Sequence, residues 1–387
     1  MKKLSLLKIS ASETVTINSL ALQKISAGDK VFNLSVGEPV MPVAFQIKKE
    51  IPQSLKLGEI RYPPVAGFPE LRISASKWMN KSYAGSFKEE NTLVVNGGKF
   101  GLFLLLQAII KPGDEVLISS PYWVSYINMV KLFKGKTKII TTTIESEWKI
   151  KAKDISKNSN SRTKLLILNN GGNPTGAIYT TSELKDILDV AAQKNLFVIS
   201  DEVYSGLVYD GWKYVSCAQF KKHQDRVAII QSCSKNFAMP GLRIGFVFAS
   251  IEVIKVLTSL MSQSTSGVTT LSQFAALAAF KQANKIMLQI RNEMQKRRDI
   301  FVKEFSRQFQ AELKPPCSAL YAFISLKSLG CANLTSMEFC QMAMEKVGVG
   351  LVPGSAFGQE GYVRFSFGEK PSVIKKALKK LSQYVKN

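Results

Sequence analysis

Short apolar, β-branched runs alternate with helical stretches through the middle of the chain. Thr92 to Val95, Glu115 to Ser119, Lys164 to Leu168, Leu196 to Ile199, Val227 to Ile230 and Ile244 to Ala249 each read as a buried strand. Between them lie a helix from Phe100 to Ile110, closed by Lys111-Pro112-Gly113-Asp114, and another from about Ser182 to Lys194. Strands alternating with helices predict an α/β fold with a mostly parallel sheet covered on both faces. In such sheets ligands bind beyond the carboxyl ends of the strands. Each unusual polar cluster of this chain falls at such an end.

The texture changes after about residue 282. A long charged helix (Lys285 to Phe309) leads to a short strand at Leu320 to Ile324, a helix at Ser336 to Lys346, the run Val349 to Val352 and a strand at Tyr362 to Phe367. A basic amphipathic helix from about Ser372 to Val385 ends the chain. The expected division is an N-terminal segment (1–40), a large domain (41–282) and a smaller α+β domain (283–387) that the N-terminal segment completes. There are no internal repeats.

Composition narrows the chemistry. The chain has 387 residues, 45% apolar and 21% charged, an ordinary globular balance with room for two cores. No apolar run can cross a bilayer, and MKKLSLLKIS lacks the apolar core of a leader, so it reads as mature protein. Five cysteines without metal spacing suggest reduced thiols and a cytoplasmic setting. The net charge of +23 is dispersed, with no basic-aromatic stripe, and reads as a solubilising surface without a nucleic-acid or membrane partner. The one histidine, His223, lies in the polar stretch KKHQD and is expected to be solvated. Proton transfer then falls to a lysine, carboxylate, tyrosine or cysteine.

The chain is organised around Ser232-Cys233-Ser234-Lys235-Asn236. Here a strand ends in small hydroxyl residues and presents one lysine, and Pro240-Gly241 argues against a helix directly after it. A lysine among small apolar neighbours is poorly solvated as a cation, so its pKa falls and it becomes usable as an imine-forming amine. Gly97-Gly98-Lys99, opening a helix, reads either as an anion site of free N–H groups and helix dipole or simply as a turn. Arg243 and Ser232 add phosphate donors. Asp201 ends a buried strand and needs a cationic partner: a nearby arginine, a helix N-terminus or a protonated ring nitrogen. Trp123 offers a stacking face, or simply core. Arg364, among apolar strand neighbours, suits bidentate capture of a carboxylate or a structural ion pair.

The stretches VGEP, YPPVAGFPELR, NGGKFGLFLLLQAIIKPGDEV, PYWVSY, GNPTG, SDEVY, SCSKNF with GLRIGF, and VRFSF resemble the class I aminotransferases of the aspartate aminotransferase superfamily, fold type I. The likeness runs from Leu34 to Phe367 and is nearest to the bacterial aspartate/prephenate branch. It implies a large domain with a seven-stranded sheet, pyridoxal 5'-phosphate as cofactor, and a homodimer with shared sites. It implies that Lys235 carries the cofactor and moves the proton, that Asp201 pairs with the ring nitrogen, and that Tyr204 and Asn173 bond the ring oxygen. Trp123 would stack on the ring. Gly98, Lys99, Ser232 and Arg243 would hold the phosphate, with Tyr62 reaching a neighbouring subunit's phosphate. Arg364, Asn173, Trp123 and the Gly37 backbone would hold the substrate, Lys99 its side-chain carboxylate, and Ser12 and Thr14 would belong to a closing segment.

The sequence also departs from the family pattern. The linker after VGEP is short, GAFY is Ser318-Ala319-Leu320-Tyr321, Gly172 stands where the family has a first asparagine, and an asparagine-proline pair is Gly267-Val268. These bear on substrate choice. The resemblance therefore implies transfer of an amino group between an L-amino acid, aspartate or glutamate, and a 2-oxo acid: 2-oxoglutarate, oxaloacetate or prephenate. A carbon–sulfur lyase, or an aminotransferase for aromatic or other amino acids, would keep the same cofactor residues. A cofactor-free nucleic-acid binder would leave that constellation unused.

Overall fold

The computed structural model describes residues 13–56 and 61–386. Its strands are β1 (Phe32–Asn33), β2 (Thr92–Val95), β3 (Glu115–Ser120), β4 (Lys136–Thr141), β5 (Thr163–Asn169), β6 (Phe197–Asp201), β7 (Val227–Ser232), β8 (Gly245–Phe248), β9 (Tyr321–Ser325), β10 (Val349–Gly350), β11 (Val352–Pro353) and β12 (Tyr362–Ser366). Seven of them form one sheet in the order β2-β8-β7-β6-β5-β3-β4. Only β8 runs against its neighbours. The β2, β6 and β7 residues are buried along their length or nearly so, as expected of a sheet covered on both faces. No helix among the described residues is long and apolar enough to cross a membrane.

Strand order explains where polar residues gather. The chain lays down β3 and β4 in one direction, then β5, β6, β7 and β8 in the other, so the order reverses between β3 and β5. The antiparallel β8 starts where β2 and β7 end: Gly245 pairs with both Val95 and Ser232. Residues 97–99, 232–235 and 243 thus meet at one sheet end although about 150 positions separate the first from the last.

A second sheet, β11-β12-β9, is antiparallel, and β1 pairs in parallel with β10. The segment after β1 is tied to the C-terminal sheet by Ser366 N donating to Leu34 O (2.8 Å) and Val40 N donating to Gly368 O (3.0 Å). This brings Val36-Gly37-Glu38 over the carboxyl edge of the large sheet.

Most predicted boundaries lie within two residues of the observed ones. Two differences are physical. A four-residue helical turn, Cys233–Asn236, does follow β7, because Ser232 Oγ accepts from Ser234 N and caps it before Pro240 can interfere. His223 is buried, correcting the expectation of a solvated ring: the 3₁₀ turn Lys221–Arg226 folds it inward, with Nε2 2.8 Å from Asp189 Oδ1. Ser12 lies outside the described residues, and Thr14 is described only as part of the helix Glu13–Ser26.

Candidate active site

The strand ends enclose a cleft of about 340 Å³ lined by Gly37, Gly98, Lys99, Trp123, Asn173, Asp201, Tyr204, Ser232, Lys235, Arg243 and Arg364. All the sequence-predicted site residues of the described chain are there except Tyr62. That residue is 93% exposed and does not line the cleft of its own chain.

At the floor, Lys235 Nζ donates to the Gly37 carbonyl. Burial lowers its pKa to about 8, with Glu38 opposing and Arg364, Arg243 and Lys99 assisting. The loop therefore supplies the lysine with a neutral acceptor, and a minor but usable share of the amine, about a tenth at pH 7, is uncharged. Gly37 has a steric reason to be glycine, since a Cβ there would overlap Tyr321 Oη.

Beside it, Asp201 closes β6. Tyr126 Oη donates to its Oδ2 (2.7 Å), whereas Oδ1 is buried with no donor among the described residues. Burial pushes this carboxyl up to about 6, against the bond from Tyr126. The cationic partner expected from sequence is not an arginine of the chain: Asp201 makes no ion pair among the described residues. Neighbouring Asn169 braces the strand end, its Nδ2 donating to Asp201 O (3.0 Å) and its Oδ1 accepting from Asn173 N (2.9 Å).

At one end of the cleft, Gly97 adopts φ 83° and precedes the helix Gly98–Ile109. A Cβ on Gly97 would lie 2.5 Å from Arg243 Nη2, so only glycine lets the guanidinium close over the helix start. The helix's first N–H groups, Ser232 and Arg243 make a concave anion site. Lys99 extends over the Trp123 ring, 4.9 Å from its centroid, and its pKa is lowered by burial of the ammonium end and by Arg243.

The opposite wall belongs to the smaller sheet. Arg364 of β12 is buried; its Nη1 donates to Asn173 Oδ1 (3.1 Å), its Nη2 to Ser35 O, and its Nε has no partner among the described residues. Burial lowers its pKa. It lies over the Tyr321 ring (4.3 Å), and Tyr321 Oη is 2.6 Å from Tyr204 Oη. Asn33 steadies the loop, its Nδ2 donating to Asn18 Oδ1 (2.8 Å) and its Oδ1 accepting from Ser35 N (3.1 Å).

Sequence reasoning gave no role to Tyr126, Asn169, Asn18 or Tyr321. Tyr126 sits within the PYWVSY stretch and Tyr321 within the altered GAFY stretch, but neither partner is visible without the fold.

The comparisons agree with this geometry. The sequence pattern of the family described as Aminotransferase class I and II matches residues 29–381. The chain is 34% identical over 380 residues to a probable aspartate/prephenate aminotransferase of Aquifex aeolicus, covering 96% of each. It is 31% identical to an aspartate aminotransferase of Thermotoga maritima, covering 98% of this chain and 97% of that protein. Among solved structures, the Thermus thermophilus aspartate aminotransferase with maleate superposes with a TM-score of 0.92 at 30% identity, covering 98% of this chain and 100% of that one. With an α/β fold of this topology and a match over nearly its whole length, the chain belongs to the class I and II aminotransferase family and is an aminotransferase.

Proposed function

We propose that the enzyme uses pyridoxal 5'-phosphate to move an amino group between an acidic L-amino acid, aspartate or glutamate, and a 2-oxo acid such as 2-oxoglutarate or oxaloacetate, with prephenate a further acceptor. The observation that carries the reading is a lysine with a lowered pKa beside a buried carboxylate that has one oxygen without a donor. Asp201 Oδ1 suits a protonated ring nitrogen, and the Gly98 helix start with Ser232 and Arg243 suits a phosphate. When bound, the cofactor supplies an aldehyde for the amine and a ring that accepts electrons.

The chain's own residues do the rest. Lys235 Nζ carries the cofactor and is the base that moves the substrate α-proton. Asp201 keeps the ring nitrogen charged, and Tyr204 and Asn173 bond the ring oxygen. Arg364, short of an anion, orients the α-carboxylate. Lys99 adds a positive charge for a side-chain carboxylate, and the excess of cations around the cleft favours dianionic substrates. The similar proteins of Aquifex aeolicus and Thermotoga maritima, a probable aspartate/prephenate aminotransferase and an aspartate aminotransferase, support the same substrates.

The proposal includes a cytoplasmic homodimer with shared sites. It is supported by the exposure of Tyr62 and of Val15, Leu20, Leu22 and Ile25 of the N-terminal helix. It also includes the division at residues 40 and 282, supported by the β1–β10 pairing.

The test is the absorbance of the purified protein with pyridoxal phosphate. L-Aspartate is expected to convert the cofactor band to the pyridoxamine form, and 2-oxoglutarate to restore it. Lys235→Ala abolishes turnover and the bound-lysine band. A fully active Lys235→Ala variant sinks the proposal, and a cofactor band that ignores aspartate and glutamate sinks the substrate assignment.

A further inference from the structure

The wall of the cleft holds two phenols whose shared proton must be placed. Tyr204 Oη and Tyr321 Oη lie 2.6 Å apart, both buried, their rings edge to face at 79°. At this separation one hydroxyl donates and the other accepts. Tyr321 has a second acceptor 3.5 Å away, the carbonyl of Gly37, which already receives Lys235 Nζ. A weak, long alternative leaves the Tyr204 oxygen as the better destination for the Tyr321 proton.

The surroundings favour the same direction. The Arg364 guanidinium lies over the Tyr321 ring, 4.3 Å from its centroid, and a cation there makes the phenol a stronger donor. The charged and titratable groups acting on the pair are Arg364, Asp201 and Glu38. Burial raises both phenols. Arg364 opposes the rise at both; at Tyr321 it is second only to burial, and at Tyr204 Asp201 adds to the rise.

We infer that Tyr321 is a positioning residue of the amino-transfer site: by donating to the Tyr204 oxygen it commits the Tyr204 proton to the cofactor side of the cleft. The inference rests on the proposed cofactor reading. Tyr321 touches neither reacting atom; it acts through Tyr204. It reaches the site from β9 of the smaller sheet, while Tyr204 follows β6 of the larger, so their hydrogen bond runs between the two sheets.

The test uses the cofactor-loaded protein and reads the pH midpoint of the cofactor absorbance between pH 5 and 10. A donor to the ring oxygen favours its anionic form, so weakening that donor raises the midpoint. Tyr321→Phe is expected to raise the proton affinity about threefold to tenfold, the range of one modest hydrogen bond. Tyr204→Phe raises it further, and the double variant matches Tyr204→Phe alone. The phenylalanine ring still covers Arg364, so KM for the amino acid stays within about twofold while the pH limb of kcat follows the spectrum. An unmoved midpoint in Tyr321→Phe, or a full additional shift in the double variant, overturns the inference. If Tyr321→Phe does not fold, 3-fluorotyrosine at 321, a more acidic phenol, is expected to lower the midpoint; an unmoved or raised midpoint overturns the inference equally. Absence of a cofactor band in the wild-type protein would instead overturn the proposed function itself.

Discussion

Arg298 and Arg364 are buried to the same degree, each 2% exposed, and each lies over a tyrosine ring, Tyr209 at 4.9 Å and Tyr321 at 4.3 Å. Their donors fare differently. Arg298 makes five hydrogen bonds: two to Asp210 (2.5 and 2.7 Å), two to Asp299 (2.9 and 2.6 Å) and one to Pro316 O (3.1 Å). That equals the donor capacity of a guanidinium, and its pKa is raised despite burial. Arg364 meets one amide oxygen and one carbonyl, keeps Nε unpaired and has no carboxylate partner among the described residues; its pKa falls. Burying a cation without an anion is costly, so the fold tolerates it only where something else is gained. Where the chain supplies the anion the arginine is a structural tie. Where it does not, the proposed function supplies one, the substrate α-carboxylate.

The largest effect that sharpens this contrast is on catalysis. Arg364→Leu is expected to lower kcat/KM for L-aspartate by about 10²–10³-fold, on the order of 3–4 kcal/mol of lost carboxylate binding. Its resistance to urea should stay level or improve, because an unpaired buried charge has gone. A loss of stability with intact kcat/KM would make Arg364 another structural tie. Arg298→Leu should do the reverse. It removes about 2–3 kcal/mol of stability, toward the low end for broken buried pairs because Asp210 and Asp299 are half-exposed and can rehydrate. Single-turnover rates should stay within about twofold of wild type. A strong fall in rate without unfolding would break the comparison.

The same contrast recurs among the acids with a smaller expected effect. Asp189 is surrounded by Lys185, Lys222 and His223, which hold its carboxyl far below the usual range. Glu202 is wholly buried. Its Oε1 accepts from Ser200 Oγ (2.8 Å) and Cys217 N (2.9 Å), its Oε2 has no well-formed hydrogen bond among the described residues, and burial pushes it up to about 7 against Ser216 and these donors. An acid raised from 4.5 to about 7 on folding contributes stability that is full below pH 4.5 and lost as the pH passes 7. At 1.36 kcal/mol per unit the loss is on the order of 3 kcal/mol. Glu202→Gln should therefore gain on wild type in urea unfolding between pH 4.5 and 7.5, part of the gain coming through the charge of Asp201, which acts on Glu202. A gap that does not change with pH would mean that Glu202 holds no proton.

Much of the large sheet is legible in local pattern. β2 has the predicted bounds, and β3, β5 and β7 begin within one residue of theirs. β4 escapes notice because its residues, KTKIIT, lie at a sheet edge with half-exposed sides and no clean period. The helices Ile251–Ser262 and Thr270–Lys281 also go unread. Within the helix Ala283–Phe309, nothing in a run as charged as QKRRD distinguishes the buried Arg297 and Arg298 from the exposed Lys296. His223 is misread for the same reason.

The sequence by itself determined the alternation of strands and helices and the place of Lys235 after a buried strand, where its pKa must fall. It also put Gly98, Asp201 and Ser232 at or just beyond strand ends. These follow from short-range periodicity, which a chain carries in consecutive residues. Only the tertiary structure decided partners: Tyr126 for Asp201, Tyr321 for Tyr204, Ser35 and Asn173 for Arg364, across separations of 75, 117, 329 and 191 residues. Whether a buried charge is satisfied or left waiting depends on which distant groups arrive beside it, and strand order, not local pattern, sets that arrival.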